Sequence, residues 1–291
     1  MAMVRRATAP PEQESVAGCH TSVVFSDDRQ WAGHLGAFVR SGLAKGQQVQ
    51  YFADTTPPER VLRALTDAGI DAAGAVTSGQ LSVSVAAQTY LAGSGFDPDT
   101  MIGLWHDAVE GAWASGYRGV RTIGEMSWGA RDVTGADRLL EYELRIHHEV
   151  LERLPLTAWC FYDRRLMADE YVGVMASAHL THRGEPHVAP RLRVAPLADR
   201  PGLLMSGSAG YDTRDAVAAA AAVISSGTAS RTDLDLAALR HLDAASLAVL
   251  TEAAAGRPGG MPLLVRQPPS PLRRLLQLFP ELESMVEVVD R

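Results

Sequence analysis

The feature that most constrains the fold of this chain is a regular alternation of short apolar runs and longer amphipathic stretches, which begins at His20. Each apolar run has the length and composition of a strand, and each longer stretch repeats its apolar residues at helical spacing. The strand-like runs are HTSVVFS, QQVQYF, GQLSVSV, GVRTIGEM and LTAWCFYD. This order predicts an α/β domain with a mainly parallel sheet and helices on both faces.

A segment at residues 183–202 interrupts this order, and its four prolines predict a linker between two domains. From Leu203 onward, short apolar runs again alternate with helical patterns. About 90 residues are enough for a small α/β domain with its own core. We therefore predict a disordered lead at residues 1–18, a first domain at 19–182 and a second domain at 203–291.

The composition is typical of a globular protein, with 46% apolar and 21% charged residues. The net charge of −7 and the lack of a run of Lys and Arg argue against nucleic-acid binding. No apolar run of about 18 residues is present, which argues against a membrane span. The two cysteines, Cys19 and Cys160, fit a reducing compartment. We expect a cytoplasmic protein, and the richness in Ala, Gly and Arg favours a bacterial one.

The motifs of the first domain are similar to those of the MEDS domain, a sensory domain of bacterial and archaeal regulators related to the RecA-like ATPase core. They are His20 at the start of the first strand, FVRSGLAKGQQVQYFAD, SGQLSV, Tyr90 before GSGFDPDTM, GYRGVRTIGEMSW, LLEYE, and CFYD with a late His179. The resemblance implies a RecA-like sheet and the sensing of a small molecule. The chain departs from the family pattern at Phe25, Phe161 and Leu180, where Tyr, Gln and Pro are usual.

The second domain resembles a STAS domain, the fold of anti-sigma factor antagonists. The resemblance rests on DLDLAALRHLDAASLAVLTEAAAG and on MPLLVRQPPSPLRRLLQLFPELESMVEV. In that family, a serine directly after a strand-end Asp is phosphorylated by a kinase that is also the anti-sigma factor. The added charge at a helix N-terminus switches binding.

At these positions the chain has Asp243 in place of the family's Asp, Ala244 in place of the phosphorylated serine, and Ser246 where Gly is usual. Because alanine has no hydroxyl group, the resemblance implies a docking module for an anti-sigma factor or serine-kinase-type regulator that lacks the usual phosphoswitch. Phosphorylation of Ser246 stays open. A purely structural interpretation also stays open, in which Asp243 is an ordinary helix cap.

Nucleotide chemistry requires a glycine-rich loop with a Lys after a strand, which cradles phosphates. The turn after the first strand reads SDDRQWAGH and places Asp27 and Asp28 where a phosphate would lie. We therefore expect no ATP hydrolysis and no resident cofactor.

Three charged side chains of the first domain are predicted to point inward. Arg121 and Glu125 share one face of the fourth strand, because side chains alternate along a strand. Glu143 falls within a helical stripe of apolar residues, and a buried carboxylate must be paired, protonated or bound to another group. The stripe consists of Leu139, Ile146, Val150 and Leu154. Either Arg121 pairs with Glu125 or Glu143 as a structural ion pair, or the three groups recognise a small ligand.

Aromatic residues near the carboxyl ends of the strands are predicted to form the walls of such a ligand pocket. They are Trp105, Trp128 and Tyr162. His20 and His179 join the candidate site through the MEDS resemblance, although His20 begins its strand and is expected at the opposite edge of the sheet. Met101, Trp105 and Trp113 recur at helical spacing, which predicts that they lie in the core.

Two further kinds of site stay open. His147 and His148, with Glu141 and Glu143 on the same predicted helix, have residue types that bind metals, although no HExxH or paired CxxC motif is present. Cys19 and Cys160 would form a redox pair if their strands were close, or two packed thiols.

These patterns predict a non-enzymatic signalling regulator in which a sensory domain controls partner docking by the second domain. Its ligand and oligomeric state are left open, a homodimer included. An enzyme that uses Glu125 or Glu143 with Arg121 and Tyr162 for acid–base chemistry is the main alternative. A structural scaffold would follow if no pocket surrounded Arg121 and Glu125.

Overall fold

The computed structural model describes residues 19–227, 232–258, 261–279 and 286–289, so the predicted lead at residues 1–18 lies outside the described residues. The chain is an α/β protein with two sheets, as the sequence predicts. The first sheet consists of β1 (His20–Phe25), β2 (Gln48–Ala53), β3 (Leu81–Val85), β4 (Val120–Glu125), β5 (Leu156–Asp163) and β6 (Thr181–Gly184). All six strands are parallel, in the order β3-β2-β4-β5-β1-β6.

Helices connect these strands, and the first four of them begin at an Asp cap or at a proline. They are α1 (Asp28–Ala44), α2 (Pro58–Asp67), α3 (Ala72–Thr77), α4 (Pro98–Ala114), α5 (Leu139–Ile146) and α6 (Asp169–Ser177). The side chain of Asp27 accepts a hydrogen bond from the backbone N–H of Gln30, and Asp97 accepts one from Thr100. Helix α5 continues into a π-helical turn at His147–Leu151.

The two faces of the first sheet bury different sets of residues, because successive side chains of a strand point to opposite faces. On one face, Val23 and Phe161 pack with residues of α1, α2 and α3. On the other, Val24, Cys160 and Tyr162 pack with residues of α4, α5 and α6. A residue's position in this alternation therefore decides which half of the domain it can reach.

The second sheet is mixed. Its strands are β7 (Leu192–Pro196), β8 (Gly202–Ala209), β9 (Thr232–Asp235), β10 (Leu239–Leu242), β11 (Leu263–Arg266) and β12 (Val286–Val289). Strand β7 runs antiparallel to β8, and the other pairs are parallel. The helices are α7 (Arg214–Ser226), α8 (Ala244–Ala255) and α9 (Ser270–Leu278).

The segment predicted to be a linker contains β-strand residues, although its prolines indicate irregular structure. Part of β6 and all of β7 lie within residues 183–202. Proline is compatible with an edge strand, where one row of N–H groups needs no partner in the sheet. Among the described strands β7 pairs with β8 alone, and Pro196 is its last residue.

The two sheets share a buried apolar layer. Helix α5 packs against α7 of the second unit, and β7 contacts both α5 and α6. Buried residues of α5 and α7, including Leu144 and Val217, belong to one continuous apolar cluster. A change in the position of α5 would therefore directly alter the packing of α7 in the second unit.

The burial that helical spacing predicts for three residues of α4 holds for two of them. Met101 and Trp105 on α4 are buried, but Trp113 is 51% exposed, so its prediction as a core residue is wrong. Trp113 follows Trp105 by eight residues, which rotates it by roughly 80° away from the buried stripe. None of the helices in the described ranges combines the length and apolarity that crossing a membrane requires.

Candidate functional site

Four side chains that commonly bind metals meet on the face of the first sheet that is covered by α4, α5 and α6. His20 comes from the first residue of β1 and Cys160 from the middle of β5, and the strand alternation points both to this face. Glu143 comes from α5, and His179 follows α6 in the turn before β6. All four side chains are buried. We call this group the buried tetrad.

The carboxylate of Glu143 is at the centre of the buried tetrad. Its Oε2 atom lies 3.0 Å from Nε2 of His20, 3.3 Å from Nε2 of His179 and 3.6 Å from Sγ of Cys160. The Cys160 sulfur is also 3.3 Å from Nε2 of His20. The ligands of a tetrahedral zinc ion are separated by roughly 3.3–3.8 Å, given bonds of about 2.0–2.3 Å. The observed spacings are close to that range, and one ligand atom from each of the four residues lies within 4.8 Å of the others.

The protonation states of the tetrad follow from its burial. Loss of solvation lowers the pKa of His20 to about 3, with a further contribution from His147, and lowers the pKa of His179 to about 3. Burial also raises the pKa of the Glu143 carboxyl and of the Cys160 thiol. Both imidazoles are therefore neutral at physiological pH, which is the state in which histidine binds a metal.

The tautomer of His179 is set by a backbone contact. Its Nδ1 atom lies 3.1 Å from the carbonyl oxygen of Met175, and a carbonyl can only accept a hydrogen bond. A neutral His179 therefore carries its proton on Nδ1 and presents the lone pair of Nε2 to Glu143. Among the described residues this Nε2 atom has no hydrogen-bond partner. Metal-binding histidines have the same arrangement, with the second ring nitrogen held by a carbonyl or carboxylate.

A small aromatic cavity adjoins the tetrad, and Cys160 lines both. The cavity walls include Phe52, Tyr90, Phe96, Met101, Trp105 and Trp128. The indole N–H of Trp128 donates to the hydroxyl of Tyr90 at 3.1 Å, and that of Trp105 donates to Tyr142 at 2.8 Å. The volume of the cavity is about 30 Å³. This is room for a molecule of a few heavy atoms.

The predicted ligand residues are divided between the two faces of the sheet. Arg121 and Glu125 point to the α1 side, whereas Glu143, Tyr162, His20 and His179 are on the tetrad side. The Tyr162 hydroxyl lies 3.4 Å from Oε1 of Glu143, and Trp128 lines the cavity. The structure thus brings five of the seven predicted ligand-site residues to one side and separates Arg121 and Glu125 from them.

The carboxylate of Glu125 is hydrogen-bonded to groups of the protein itself. Its carboxylate accepts a hydrogen bond from the Tyr51 hydroxyl and three from the backbone N–H groups of Asp54, Thr55 and Thr56. It therefore holds the loop between β2 and α2. Arg121 lies near the start of β4, four residues and roughly 13 Å along the strand from Glu125. Its guanidinium lies over the Phe38 ring at 4.5 Å and donates to the Phe38 carbonyl oxygen at 3.2 Å.

Cys160 belongs to the site, although its sequence context indicates only a packed thiol or half of a redox pair with Cys19. Its sulfur lies beside His20 and Glu143. The signal was available in principle, because Cys160 and Tyr162 share one face of β5. Glu141, a proposed metal ligand beside His147 and His148, instead contacts Arg138 and Arg145.

The switch positions predicted in the second unit surround the start of α8. Asp243 caps this helix by accepting a hydrogen bond from the backbone N–H of Ser246 at 2.7 Å. Ala244 is exposed, whereas Ser246 is buried. The exposed position 244 therefore has no hydroxyl group, and the hydroxyl-bearing side chain of Ser246 is buried.

Comparison with known proteins assigns the first domain. A family model described as MEDS, the MEthanogen/methylotroph, DcmR Sensory domain, matches residues 19–183, which is more than half of the chain. The chain belongs to the MEDS family. The matched residues contain the first sheet except Gly184, the aromatic cavity and all four tetrad residues, and the family indicates a role in sensing a signal. No curated protein matches the chain.

Proposed function

We propose that this protein is a non-enzymatic sensor whose MEDS domain binds a transition-metal ion at His20, Glu143, Cys160 and His179. The observation that carries the proposal is the convergence of four buried ligand types, with one ligand atom from each within 4.8 Å of the others. Two imidazoles, a thiolate and a carboxylate suit zinc and other borderline-soft divalent ions. A positive ion would also compensate the buried carboxylate, which is otherwise costly to keep ionised.

The aromatic cavity is the second part of the proposed sensing site. Its walls are apolar and flat, which favours a small, largely apolar organic molecule of a few heavy atoms. Such a molecule would contact Cys160 and thereby the edge of the metal centre. Binding changes the signalling state only to the extent that the molecule's affinity differs between the two states of the domain.

Cobalt binding tests the metal site directly. The full chain, freed of metals by a chelator, is titrated with Co²⁺ while its absorption spectrum is recorded. We expect one equivalent of Co²⁺ to produce a thiolate-to-cobalt charge-transfer band. The band should disappear in Cys160→Ala and persist in Cys19→Ala, which removes the other cysteine. Absence of the band from the unaltered chain, or its survival in Cys160→Ala, would refute the proposal.

For the second unit we propose a STAS-like docking role towards an anti-sigma factor or a serine-kinase-type regulator. Three observations support it: a mixed sheet, an Asp-capped α8 after β10, and the exposed Ala244 at the start of that helix. Because α5 carries Glu143 and packs against α7, metal or ligand binding in the MEDS domain has a short route to this surface. The sensory domain, and not phosphorylation at position 244, then controls docking.

Partner capture tests the docking role. The full chain is used as bait in an extract of its native host, with and without metal, and retained proteins are identified by mass spectrometry. We expect a serine-kinase-type regulator to be retained and to be lost when Ala244→Glu places a negative charge at the start of α8. Ala255→Glu, at the exposed far end of the same helix, is the control. Retention of the regulator by the Ala244→Glu chain, or failure to retain any such regulator, would contradict this role.

A further inference from the structure

We propose that His147, His148 and Glu152 form a second divalent-metal site, which is separate from the buried tetrad and lies at the end of α5. The proposal depends on the geometry of the π-helical turn and does not depend on the function proposed for the tetrad. One ligand atom from each of the three residues lies within 4.8 Å of the other two. We call this group the π-turn triad.

The π-helical turn is what brings His147 to Glu152, whereas His148 is four residues from Glu152, a spacing that an α-helix also places on one face. In an α-helix, residues five apart are rotated by roughly 140° from each other, because each residue adds about 100°. A π-turn hydrogen bond joins residues five apart, so they stack on the same side. The backbone N–H of Glu152 donates to the carbonyl oxygen of His147 at 3.1 Å, which is this bond. The turn therefore places the carboxylate of Glu152 beside the imidazole of His147 as well as that of His148.

The contacts within the triad are those of ligands around one position. Oε1 of Glu152 is 3.6 Å from Nε2 of His147, and its Oε2 is 3.0 Å from Nδ1 of His148. The two imidazole rings are 4.7 Å apart at their centroids. The Nε2 atoms of His147 and of His148 are shielded from solvent and have no hydrogen-bond partner among the described residues. Unpartnered buried ring nitrogens need an explanation, and for Nε2 of His147, which faces Glu152, a bound ion provides one.

The triad differs from the tetrad in accessibility and in chemistry. The His147 and His148 side chains are 13% and 14% exposed and that of Glu152 is 39% exposed, so an ion enters from solvent without opening the core. Two nitrogens and one carboxylate, completed by water, suit Zn²⁺ or Co²⁺. No thiol lies in this group, which gives the two sites different cobalt spectra.

A metal at the triad would stabilise the π turn, which continues the helix that carries Glu143. The ion would thereby hold the end of α5 in the conformation that presents Glu143 to its partners.

The two sites are counted by Co²⁺ titration of the full chain. We expect two equivalents to bind, of which only one produces the thiolate band. His148→Ala and the double variant His147→Ala/His148→Ala should bind one equivalent and keep that band. Glu152→Gln should weaken the second site by about tenfold or more. Two variants serve as controls and should bind two equivalents: Glu149→Gln, which removes a carboxylate of the same turn that pairs with Arg145, and His106→Ala on α4.

The outcomes separate this inference from the proposed function. If the tetrad binds no metal but the triad does, the unaltered chain takes up one equivalent without the thiolate band. If the triad binds none, the unaltered chain takes up either one equivalent with the band or no metal at all, and both results refute the inference. Zn²⁺ uptake of Cys160→Ala, with and without the His147→Ala/His148→Ala changes, checks the result in chains whose folding is verified by circular dichroism. Removal of the two histidines should lower the Zn²⁺ uptake of Cys160→Ala by one equivalent, and an uptake that is the same with and without them would also overturn the inference.

Discussion

The Nδ1 atom of His179 lies 3.1 Å from the carbonyl oxygen of Met175, and this contact turns the other ring nitrogen towards Glu143. Met175 is part of α6, whereas Glu143 is part of α5, so two helices fix the direction of one lone pair. A lone pair that faces a carboxylate is unfavourable unless a proton or a metal ion lies between them. In the metal site that we propose, a bound cation would occupy this position.

Glu143→Gln should separate the stability of the fold from metal binding. Without metal we expect an unchanged or raised unfolding temperature, because the desolvation cost of a buried carboxylate is removed. In the unaltered chain, free metal at 100 times its Kd adds about 2.7 kcal/mol to the free energy of unfolding. The variant should lose this increment, as measured by thermal unfolding with and without Zn²⁺ in chains that all also carry His147→Ala/His148→Ala, which removes the π-turn triad. Glu141→Gln, which removes a buried partner of Arg145, should lower stability but keep the increment. A metal-dependent shift that survives in Glu143→Gln would contradict this.

The metal-free protein should lose stability as the pH falls below about 6.5. Burial lowers the pKa of His20 and of His179 from 6.5 to about 3, so between these values the unfolded chain binds more protons at both positions. The raised pKa of the Glu143 carboxyl acts in the opposite direction, but it involves one proton against two. The tetrad should therefore lower the free energy of unfolding by about 1.4 kcal/mol per pH unit, and His34, His147 and His182, whose pKa values burial also lowers, should add to this slope.

Urea unfolding from about pH 7.5 to about pH 5, in the presence of a chelator, measures this slope. His20→Gln should reduce it, because one of the two suppressed protonations is removed. His106→Ala, which lies outside the tetrad, should leave the slope unchanged. An unaltered chain whose stability is constant over this range would contradict the assignment of neutral buried imidazoles.

Glu125→Ala should destabilise the MEDS domain by about 2–4 kcal/mol without weakening metal binding. Three backbone N–H groups and the Tyr51 hydroxyl lose their common acceptor, and buried donors without partners carry the full cost of desolvation. Urea unfolding gives the stability, and Co²⁺ titration gives the affinity. Glu59→Ala on the exposed first turn of α2 is the control and should change stability by less than about 0.5 kcal/mol. A loss of cobalt affinity in Glu125→Ala would connect Glu125 to the binding site after all.

Two tryptophans of the same helix should respond very differently to truncation. Trp105 lines the cavity and is buried, so Trp105→Ala should cost about 3–5 kcal/mol and enlarge the cavity. Trp113 is 51% exposed, and Trp113→Ala should change stability by no more than about 0.5 kcal/mol. A small apolar probe such as benzene should raise the unfolding temperature of Trp105→Ala more than that of Trp113→Ala. Equal responses of the two variants would show that the cavity does not accept apolar molecules.

The order of helices and strands could be predicted from the sequence because its causes are local. Alternating side chains, Asp caps such as Asp27 and Asp97, and prolines in the first turns of α2 and α4 act over a few residues. The apolar stripe around Glu143 likewise indicated a buried carboxylate, and that residue is fully buried in the structure. The same local signals predicted a linker where β7 forms. Proline destabilises a strand only where the missing N–H would donate a hydrogen bond to a neighbouring strand.

What the sequence determined by itself was therefore the α/β class, the run of elements and the burial of Glu143. Only the tertiary structure decided what surrounds that carboxylate, because His20 and Cys160 are 140 positions apart in the chain and meet through the pairing of β1 with β5. It also decided that Arg121 and Glu125 lie on the other side of the sheet, since local periodicity does not specify which face of a sheet a helix covers. Long-range strand order and the choice of face are properties of the packed chain, and they assembled this site.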